Sequence, residues 1–160
     1  MGSGKSTVGR VLAQRLGWGF VDMDERIEER TGHRIADLFR EQGEAAFREE
    51  ELAVARELQS ATRRVIASGG GAFAEARTRE ALRAGAFTVW LAGDFATLAR
   101  RVPTDGSRPL AADREIMRRL FEEREPYYRS ADLIVDATGA PEVIAGRIVA
   151  AAFPDADAER

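Results

Sequence analysis

The sequence predicts an α/β fold built around a parallel sheet. Short apolar runs, each long enough for one buried strand, alternate with segments whose apolar residues recur at helical spacing. That alternation is typical of parallel strands joined by crossover helices. A chain of 160 residues has the length of one domain, so we expect a single unit over residues 1–160.

Four apolar runs are the predicted strands. Their continuous apolar character favours strands that are buried on both faces. They cover residues 19–21, which run into the acidic Asp-Met-Asp at 22–24, and residues 65–67, 87–91 and 133–135.

Helical spacing is clearest between residues 6 and 16. Val8, Val11, Leu12 and Leu16 recur at that spacing, and Gly17 supplies a stop. Further helices are predicted over residues 35–40, 44–58, 74–83, 95–102, 115–125 and 143–152.

Composition excludes several kinds of chemistry. The chain has no cysteine, which rules out disulfides and thiolate catalysis, and its one histidine, His33, is expected in a solvated turn. A net charge of −3 gives no global reason to bind nucleic acid or an anionic membrane. No apolar run approaches the roughly 18 residues of a membrane span, and no leader is visible. We therefore expect a small ligand, a cytoplasmic location and a monomer.

Residues 2–7 read Gly-Ser-Gly-Lys-Ser-Thr and precede the first predicted helix. Gly2, Ser3 and Gly4 can turn backbone N–H groups toward an anion at the helix N-terminus. Lys5 then reaches the β- and γ-phosphates of ATP, Ser6 offers a hydroxyl to Mg²⁺, and Thr7 adds a phosphate contact. The competing interpretation is a glycine-rich turn that carries Lys and Ser by chance.

A full Walker A loop has an earlier glycine, which would lie two positions before Met1. The strand that feeds such a loop is also absent from this sequence. We therefore expect the sheet to lack the strand that leads into this loop.

Two carboxylates close the first predicted strand. If Asp22 and Asp24 both stayed extended, their side chains would project to opposite faces of the strand, and the two carboxylates would have different roles. One could support Mg²⁺ through water while the other orients or deprotonates an acceptor hydroxyl. The alternative is that either residue is the N-cap of an acidic helix that begins near Glu25.

Three glycines, Gly69, Gly70 and Gly71, follow the second predicted strand. A bare backbone there lets a ligand approach closely, although a flexible turn would also use glycine.

Three arginines are candidate anion ligands. Arg48 and Arg124 lie on apolar stripes of their predicted helices, where a guanidinium needs an anionic partner. Arg108 lies in a polar stretch, residues 103–113, that reads as a mobile lid over the transferring phosphate. Ordinary salt-bridged or loop arginines remain the alternative. We interpret Glu49, Glu50 and Glu51 as a solvated helix face, and the aromatic residues as packing groups.

Taken together, the sequence resembles the shikimate kinases from residue 2 to about residue 153. Several separate blocks occur in the family's order. They are Gly-Ser-Gly-Lys-Ser-Thr at 2–7, Asp-Met-Asp at 22–24, Thr-Gly at 31–32 with Ile-Ala-Asp-Leu-Phe at 35–39, Gly-Glu at 43–44 with Phe-Arg at 47–48, Gly-Gly-Gly at 69–71, Arg-Pro-Leu at 108–110, and Arg124 ahead of Tyr128.

The resemblance implies a P-loop kinase fold of three layers, α/β/α, with a parallel sheet. In the family fold the first strand is central, so we expect its absence to expose two inner edges. The resemblance also implies an enzyme that transfers the γ-phosphate of ATP to the 3-hydroxyl of shikimate. This reaction is a step toward chorismate and the aromatic amino acids. For the nucleotide, residues 2–7 would bind ATP, Arg101 would flank the adenine, and Lys5 and Arg108 would stabilise the transferring phosphoryl group. Ser6 would ligate Mg²⁺, with Asp22 behind it.

For the acceptor, the resemblance implies a substrate-binding segment over residues 24–58. Asp24 would bind the shikimate hydroxyls and act as the base. Arg48 and Arg124 would hold the carboxylate, and Gly70 within the 69–71 loop would add backbone contact. The alternatives are another P-loop kinase, of the gluconate or nucleoside monophosphate type, or an idle nucleotide-binding remnant.

Overall fold

A computed structural model describes residues 2–102 and 113–154. Helices and strands alternate along them. The strands are β1 (Gly19–Asp22), β2 (Arg64–Ala67), β3 (Val89–Ala92) and β4 (Leu133–Asp136). The helices are α1 (Lys5–Leu16), α2 (Met23–Thr31), α3 (Ile35–Leu58), α4 (Ala76–Arg83), α5 (Phe95–Arg100), α6 (Arg114–Tyr128) and α7 (Pro141–Ala152).

The four predicted strands are confirmed, and they pair in parallel. β1 pairs with β2, so that Phe20 lies opposite Val65, and β3 pairs with β4, so that Trp90 lies opposite Ile134. The strands form two separate two-stranded sheets instead of one continuous sheet. Within the described ranges no strand lies between β2 and β3, and the inner edges of these strands are unpaired.

Helices cover both faces of the strands, as the three-layer prediction requires. On one face, Val8 of α1 and Ile148 of α7 pack in a cluster with Leu91 and Val135 of the second sheet. On the other face, α2, α3 and α4 form a second cluster, against which Ile66 of β2 packs. A smaller third cluster joins α5 to α6.

Two helical features differ from the prediction. The α2 helix was expected only in the alternative interpretation of Asp22 and Asp24 as N-caps, because its sequence is almost entirely charged and shows no apolar stripe beyond Met23 and Ile27, which are both fully buried. The segments 35–40 and 44–58 form one continuous element, α3, that is interrupted at Gly43. Gly43 has φ 81° and ψ 173°, a conformation that glycine adopts without strain.

The α6 helix carries the candidate anion ligand Arg124 and the aromatic residue Tyr128. It continues three residues beyond its predicted end, through Pro126 to Tyr128. Arg124 and Tyr128 are therefore one turn apart and lie on the same side of the helix.

Of the predicted lid at 103–113, only Asp113 belongs to the described residues. It caps α6, accepting hydrogen bonds from the backbone N–H groups of Glu115 (2.7 Å) and Ile116 (3.1 Å). Arg108 lies outside the described residues. In the part of the chain that is described, no helix is long and apolar enough to cross a membrane.

Candidate active site

A cleft of about 250 Å³ opens at the N-terminus of α1. Gly2 and Gly4 have φ values of 71° and 78°, and these left-handed conformations turn the chain into the helix. The residues that line the cleft come from four segments: Gly2, Gly4, Lys5, Ser6 and Thr7 from the loop, Asp22 and Asp24 after β1, Ala67 and Ser68 after β2, and Arg101 after α5. Helix dipole, backbone N–H groups and the Lys5 ammonium make this cleft an anion site.

Gly2 is also required by close packing. A Cβ on Gly2 would lie 3.0 Å from the carbonyl carbon of Leu98 in α5, so a side chain there would push the loop away from α5. Ser3, beside it, is 7% exposed. The loop is therefore held against the body of the protein.

Ser6 and Asp22 form the candidate metal group. The Ser6 hydroxyl donates to Asp22 Oδ2 at 2.5 Å, and Asp22 Oδ1 accepts the backbone N–H of Asp24 at 3.0 Å. Mg²⁺ in kinase sites uses one or two protein oxygens and completes its shell with phosphates and water. The pair fits that role, and among the described residues no cluster of three acidic or histidine side chains offers a stronger metal site.

Asp22 and Asp24 do not both remain extended, so the expectation of opposite strand faces is wrong. Asp22 ends β1 and is the N-cap of α2, while Asp24 lies in the first helical turn. The helix begins immediately after the strand, and this places Asp24 beside the glycine loop. The N-cap interpretation therefore holds for Asp22 and leaves Asp24 in the cleft.

The glycines after β2 make room for charged groups. A Cβ on Gly69 would lie 3.1 Å from Oε1 of Glu51 and 3.2 Å from Oδ1 of Asp24. A Cβ on Gly71 would lie 2.8 Å from Cζ of Arg48. A side chain at either position would displace a carboxylate or the guanidinium.

Arg48 points inward, as its place on the apolar stripe of α3 predicted. Its side chain is 19% exposed; Nη1 donates to Glu51 Oε2 at 2.8 Å, and Nη2 donates to Glu44 Oε1 at 2.8 Å. Burial lowers the pKa of Arg48, but the two carboxylates more than offset that effect, and the pKa is raised. The guanidinium is charged and held in a fixed orientation.

Glu51 is not part of a solvated face, and that interpretation is wrong. Its side chain is 1% exposed, because the residue lies one turn after Arg48 on the buried side of α3. Burial raises the pKa of Glu51, Arg48 opposes the rise, and the neighbouring Asp24 carboxylate adds to it. A buried carboxylate beside a candidate base and an anion ligand belongs to the site.

Tyr128 closes the glycine loop from the side of α6. Its hydroxyl donates a hydrogen bond to the carbonyl oxygen of Gly70, and its ring packs on Trp90 with centroids 5.9 Å apart. Burial raises the pKa of Tyr128, while the Arg124 guanidinium one turn earlier lowers it. Arg124 also acts on the Glu51 carboxylate.

The site therefore has two parts that meet at Asp24 and Gly69. The first is the phosphate cleft at α1, which includes Arg101, whose Nη1 donates to the Ala137 carbonyl at 3.3 Å. The second is the group of charged side chains around Glu51, which interacts with Arg48, Asp24 and Arg124.

Two residues of the site, Glu51 and Tyr128, were missed by sequence reasoning. Glu51 stands in an acidic run that hides its burial, although its spacing of three from Arg48 on an inward stripe was a usable signal. Tyr128 was interpreted as a packing group, although its spacing of four from Arg124 on an inward stripe was a usable signal. Its neighbour Tyr127 is 44% exposed.

The family profile described as shikimate kinase matches residues 1–152. A shikimate kinase from Paramagnetospirillum magneticum is 43% identical, with all of this chain and 84% of the relative covered. One from Gloeobacter violaceus is 46% identical over 91% of this chain and 84% of the relative.

Solved structures agree with the sequence relatives. The shikimate kinase from Acinetobacter baumannii, in complex with shikimate, superposes with a TM-score of 0.92 at 36% identity, covering 97% of this chain and 89% of that one. The enzyme from Aquifex aeolicus gives 0.84 at 34% identity, covering 93% and 89%. Profile, relatives and fold all agree, and the chain belongs to the shikimate kinase family.

Proposed function

We propose that this protein transfers the γ-phosphoryl group of ATP to the 3-hydroxyl of shikimate. The observation that carries the proposal is the meeting of two sites at Asp24 and Gly69. Asp24 lines the phosphate cleft with Lys5 and Ser6, and a Cβ on Gly69 would touch both Asp24 and Glu51, the carboxylate that holds the inward guanidinium of Arg48. Phosphoryl transfer needs this adjacency, because the protein contributes mainly positioning and charge stabilisation.

For the nucleotide, we assign phosphate binding to residues 2–7. Backbone N–H groups at the start of α1 receive the phosphate oxygens, and Lys5 neutralises charge as the γ-phosphoryl group moves. Arg101, at the edge of the same cleft, is assigned to the adenine side. Arg108 is assigned to the transferring phosphoryl group on the basis of the resemblance alone.

Mg²⁺ is the metal that the Ser6 and Asp22 pair suits. Ser6 would ligate it directly and Asp22 would hold the Ser6 hydroxyl in place. When bound, the ion neutralises charge on the phosphates. The protein's own contribution is a fixed oxygen at the mouth of the loop.

For the acceptor, we assign the shikimate carboxylate to Arg48 and Arg124 and its ring hydroxyls to Asp24. A planar guanidinium matches a carboxylate with two parallel hydrogen bonds. Asp24 then accepts the proton of the 3-hydroxyl while the oxygen of that hydroxyl attacks the γ-phosphorus. The backbone of Gly70, fixed by Tyr128, lines the same pocket.

The remaining assignments follow from composition and site construction. The length of the chain supports a single unit over residues 1–160, which we propose acts as a monomer. The acidic balance of the chain supports a small-molecule enzyme of the cytoplasm with no nucleic-acid partner.

The decisive experiment follows ADP release from this chain with shikimate, gluconate and nucleoside monophosphates as separate acceptors. We expect ADP release with shikimate only. A Lys5→Ala variant, prepared in the same way, should release no ADP, and any ADP that it does release measures contaminating enzymes. Turnover with gluconate or a nucleoside monophosphate in place of shikimate would overturn the acceptor assignment.

One observation favours a second candidate, a nucleotide-binding remnant without turnover. The division of the strands into two sheets removes the continuous support under the phosphate loop. A chain of this kind would bind ATP and release no ADP when shikimate is added, whereas the enzyme would do both. Calorimetric titration with a non-hydrolysable ATP analogue, run beside the ADP assay, separates the two.

A further inference from the structure

The glycine loop at residues 69–71 has no side chains with which to hold its own position. Gly69 leaves room for the Asp24 carboxylate, and Gly71 leaves room for the Arg48 guanidinium, so the loop backbone borders the candidate acceptor site. Glycine also loses more conformational freedom on folding than any other residue. Contacts from outside the loop must therefore fix its backbone.

Arg79 of α4 holds the stretch that follows the three glycines. Its Nη1 donates to the carbonyl oxygens of Phe73 at 3.1 Å and of Ala74 at 3.2 Å. That stretch is folded back on the glycines, since the amide of Ala74 donates to the Gly71 carbonyl at 3.0 Å. Arg79 is half-buried, and within the described ranges no carboxylate pairs with it. Its hydrogen bonds are therefore directed at the backbone after the loop.

The Arg79 guanidinium also contacts helix α6. Its Cζ lies 4.9 Å from the centre of the Tyr127 ring, which is a cation–π contact. Tyr128 reaches the loop independently, because its hydroxyl donates to the Gly70 carbonyl. The α6 helix is thus joined to the loop at two points, one at the middle glycine and one just after the glycines.

These two contacts bear on the position of Arg124. Arg124 lies three residues before Tyr127 and four before Tyr128, so the three side chains share one side of α6. The last turn of this helix is weakened by Pro126, which has no N–H to donate to the preceding turn. The contacts with the loop stabilise that turn from outside, and they place the Arg124 side of the helix against the loop.

We propose that Arg79 is a positioning residue for the acceptor, which ties the glycine loop to α6 and thereby fixes Arg124 relative to the loop. The inference rests on the proposed function, in which Arg48 and Arg124 hold the shikimate carboxylate. The described residues that line the phosphate cleft do not include Arg79. A displaced Arg124 therefore weakens binding of the acceptor and leaves binding of ATP unchanged.

The test compares Arg79→Met and Arg79→Lys in steady-state kinetics. Methionine keeps a long apolar side chain but has neither the charge nor the donors. We expect it to raise KM for shikimate about tenfold, to change kcat less than about threefold and to leave KM for ATP unchanged. Lysine restores a charged donor for the carbonyls and a cation for the Tyr127 ring, so KM should return to within about threefold of the wild-type value.

Arg77→Met is the matched control. Arg77 lies two residues away on the same helix, and its side chain is 55% exposed and pairs with Glu49 on the surface. Its substitution should leave both KM values unchanged. Equal effects of the two methionine variants, or an equal rise in KM for shikimate and for ATP in Arg79→Met, would overturn the proposal. A KM for shikimate that is as high in Arg79→Lys as in Arg79→Met would also overturn it.

Tyr127→Leu tests the same link from the side of α6, because it removes the ring and keeps Arg79. We expect KM for shikimate to rise about threefold. Adding Tyr127→Leu to Arg79→Met should cause no further rise, since the two side chains form one link. Additive effects of the two substitutions would contradict that link.

Amide hydrogen exchange provides a readout that needs no turnover. The amides of Ala72, Ala74 and Glu75 donate to carbonyls of the glycine loop. In Arg79→Met they should exchange at least about fivefold faster than in the wild type, and in Arg77→Met at the wild-type rate. Unchanged exchange in Arg79→Met overturns the proposal even if the chain releases no ADP. If the wild type phosphorylates another acceptor, the proposed function fails, and the exchange rates still decide the role of Arg79.

Discussion

Glu51 accepts a hydrogen bond from Arg48 at 2.8 Å while its own side chain is 1% exposed. The pair lies beneath the glycine loop, where a Cβ on Gly69 would lie 3.1 Å from the carboxylate and a Cβ on Gly71 would run into the guanidinium. Buried charge of this kind is costly unless it is paired. The pair holds the Arg48 guanidinium in a fixed orientation beside the glycine loop.

We expect Glu51→Gln to raise KM for shikimate about tenfold, with a smaller change in kcat and none in KM for ATP. The amide keeps the shape but loses the charge that holds the Arg48 guanidinium. Steady-state kinetics with each substrate varied in turn measures the split.

The matched control for that variant is Glu49→Gln. Glu49 stands two residues away on α3 and pairs with Arg77 at 2.9 Å on the surface, with a side chain that is 65% exposed. Its substitution should leave both KM values unchanged. Equal effects of the two variants would remove Glu51 from the positioning role.

Glu51 should also make stability depend on pH. Burial raises its pKa in the folded protein, so the folded state holds this proton to a higher pH than the unfolded chain does. The free energy of unfolding of the wild type, relative to Glu51→Gln, should therefore fall as pH rises from about 4.3, the ordinary glutamate pKa, through the raised value. The steepest slope for one group is about 1.4 kcal/mol per pH unit.

Urea unfolding of the two proteins across that range measures the difference. Below the ordinary pKa the carboxyl is neutral in both states, and this contribution of Glu51 is fully present. A difference that grows with pH would contradict the raised pKa.

Asp24→Asn should reduce kcat by roughly 10²- to 10⁴-fold while ATP binds with nearly its normal affinity. The amide cannot accept the proton of the acceptor hydroxyl, yet it leaves the phosphate cleft intact. Asp37→Asn is the control, since Asp37 pairs with Arg40 at 2.6 Å on the first turn of α3. Unchanged turnover in Asp24→Asn would exclude Asp24 as the base.

Ser6→Ala should raise the free Mg²⁺ concentration needed for half-maximal turnover about tenfold or more. The substitution removes the hydroxyl that bonds to Asp22 and would ligate the metal. Turnover at saturating ATP, titrated with Mg²⁺, measures the change, and Ser60→Ala on an exposed turn serves as the control. If Ser6→Ala needs the same Mg²⁺ concentration as the wild type for half-maximal turnover, Ser6 is not a ligand of the metal.

Tyr128→Phe should lower the free energy of unfolding by about 1 kcal/mol and raise KM for shikimate severalfold. The substitution leaves the Gly70 carbonyl without its donor while keeping the ring on Trp90. Tyr127→Phe is the control, because Tyr127 is exposed and its ring lies under Arg79. Thermal unfolding and shikimate kinetics are the measurements, and identical values for both variants would contradict the assignment.

Local chemistry made much of this protein predictable from its sequence. The strands were placed because each is a short run of consecutive apolar residues, and α1 because its apolar spacing ends at Gly17, which has φ 65°. The phosphate loop was predicted because an anion site needs glycines, a lysine and a hydroxyl group, and residues 2–7 supply all three in one short segment. Arg48 and Arg124 were identifiable because a charge on an apolar stripe needs an anionic partner.

The tertiary structure alone decided the rest. Tyr128 reaches the carbonyl of Gly70 across 58 positions of sequence, and Glu51 lies beside Gly69 and Asp24, which come from other segments of the chain. The missing strand predicted a divided sheet, but which edges pair depends on which strands meet in space. A sequence determines which chemical groups are available at each turn of the chain. Burial, which raises the pKa of Glu51, arises only when distant segments pack together.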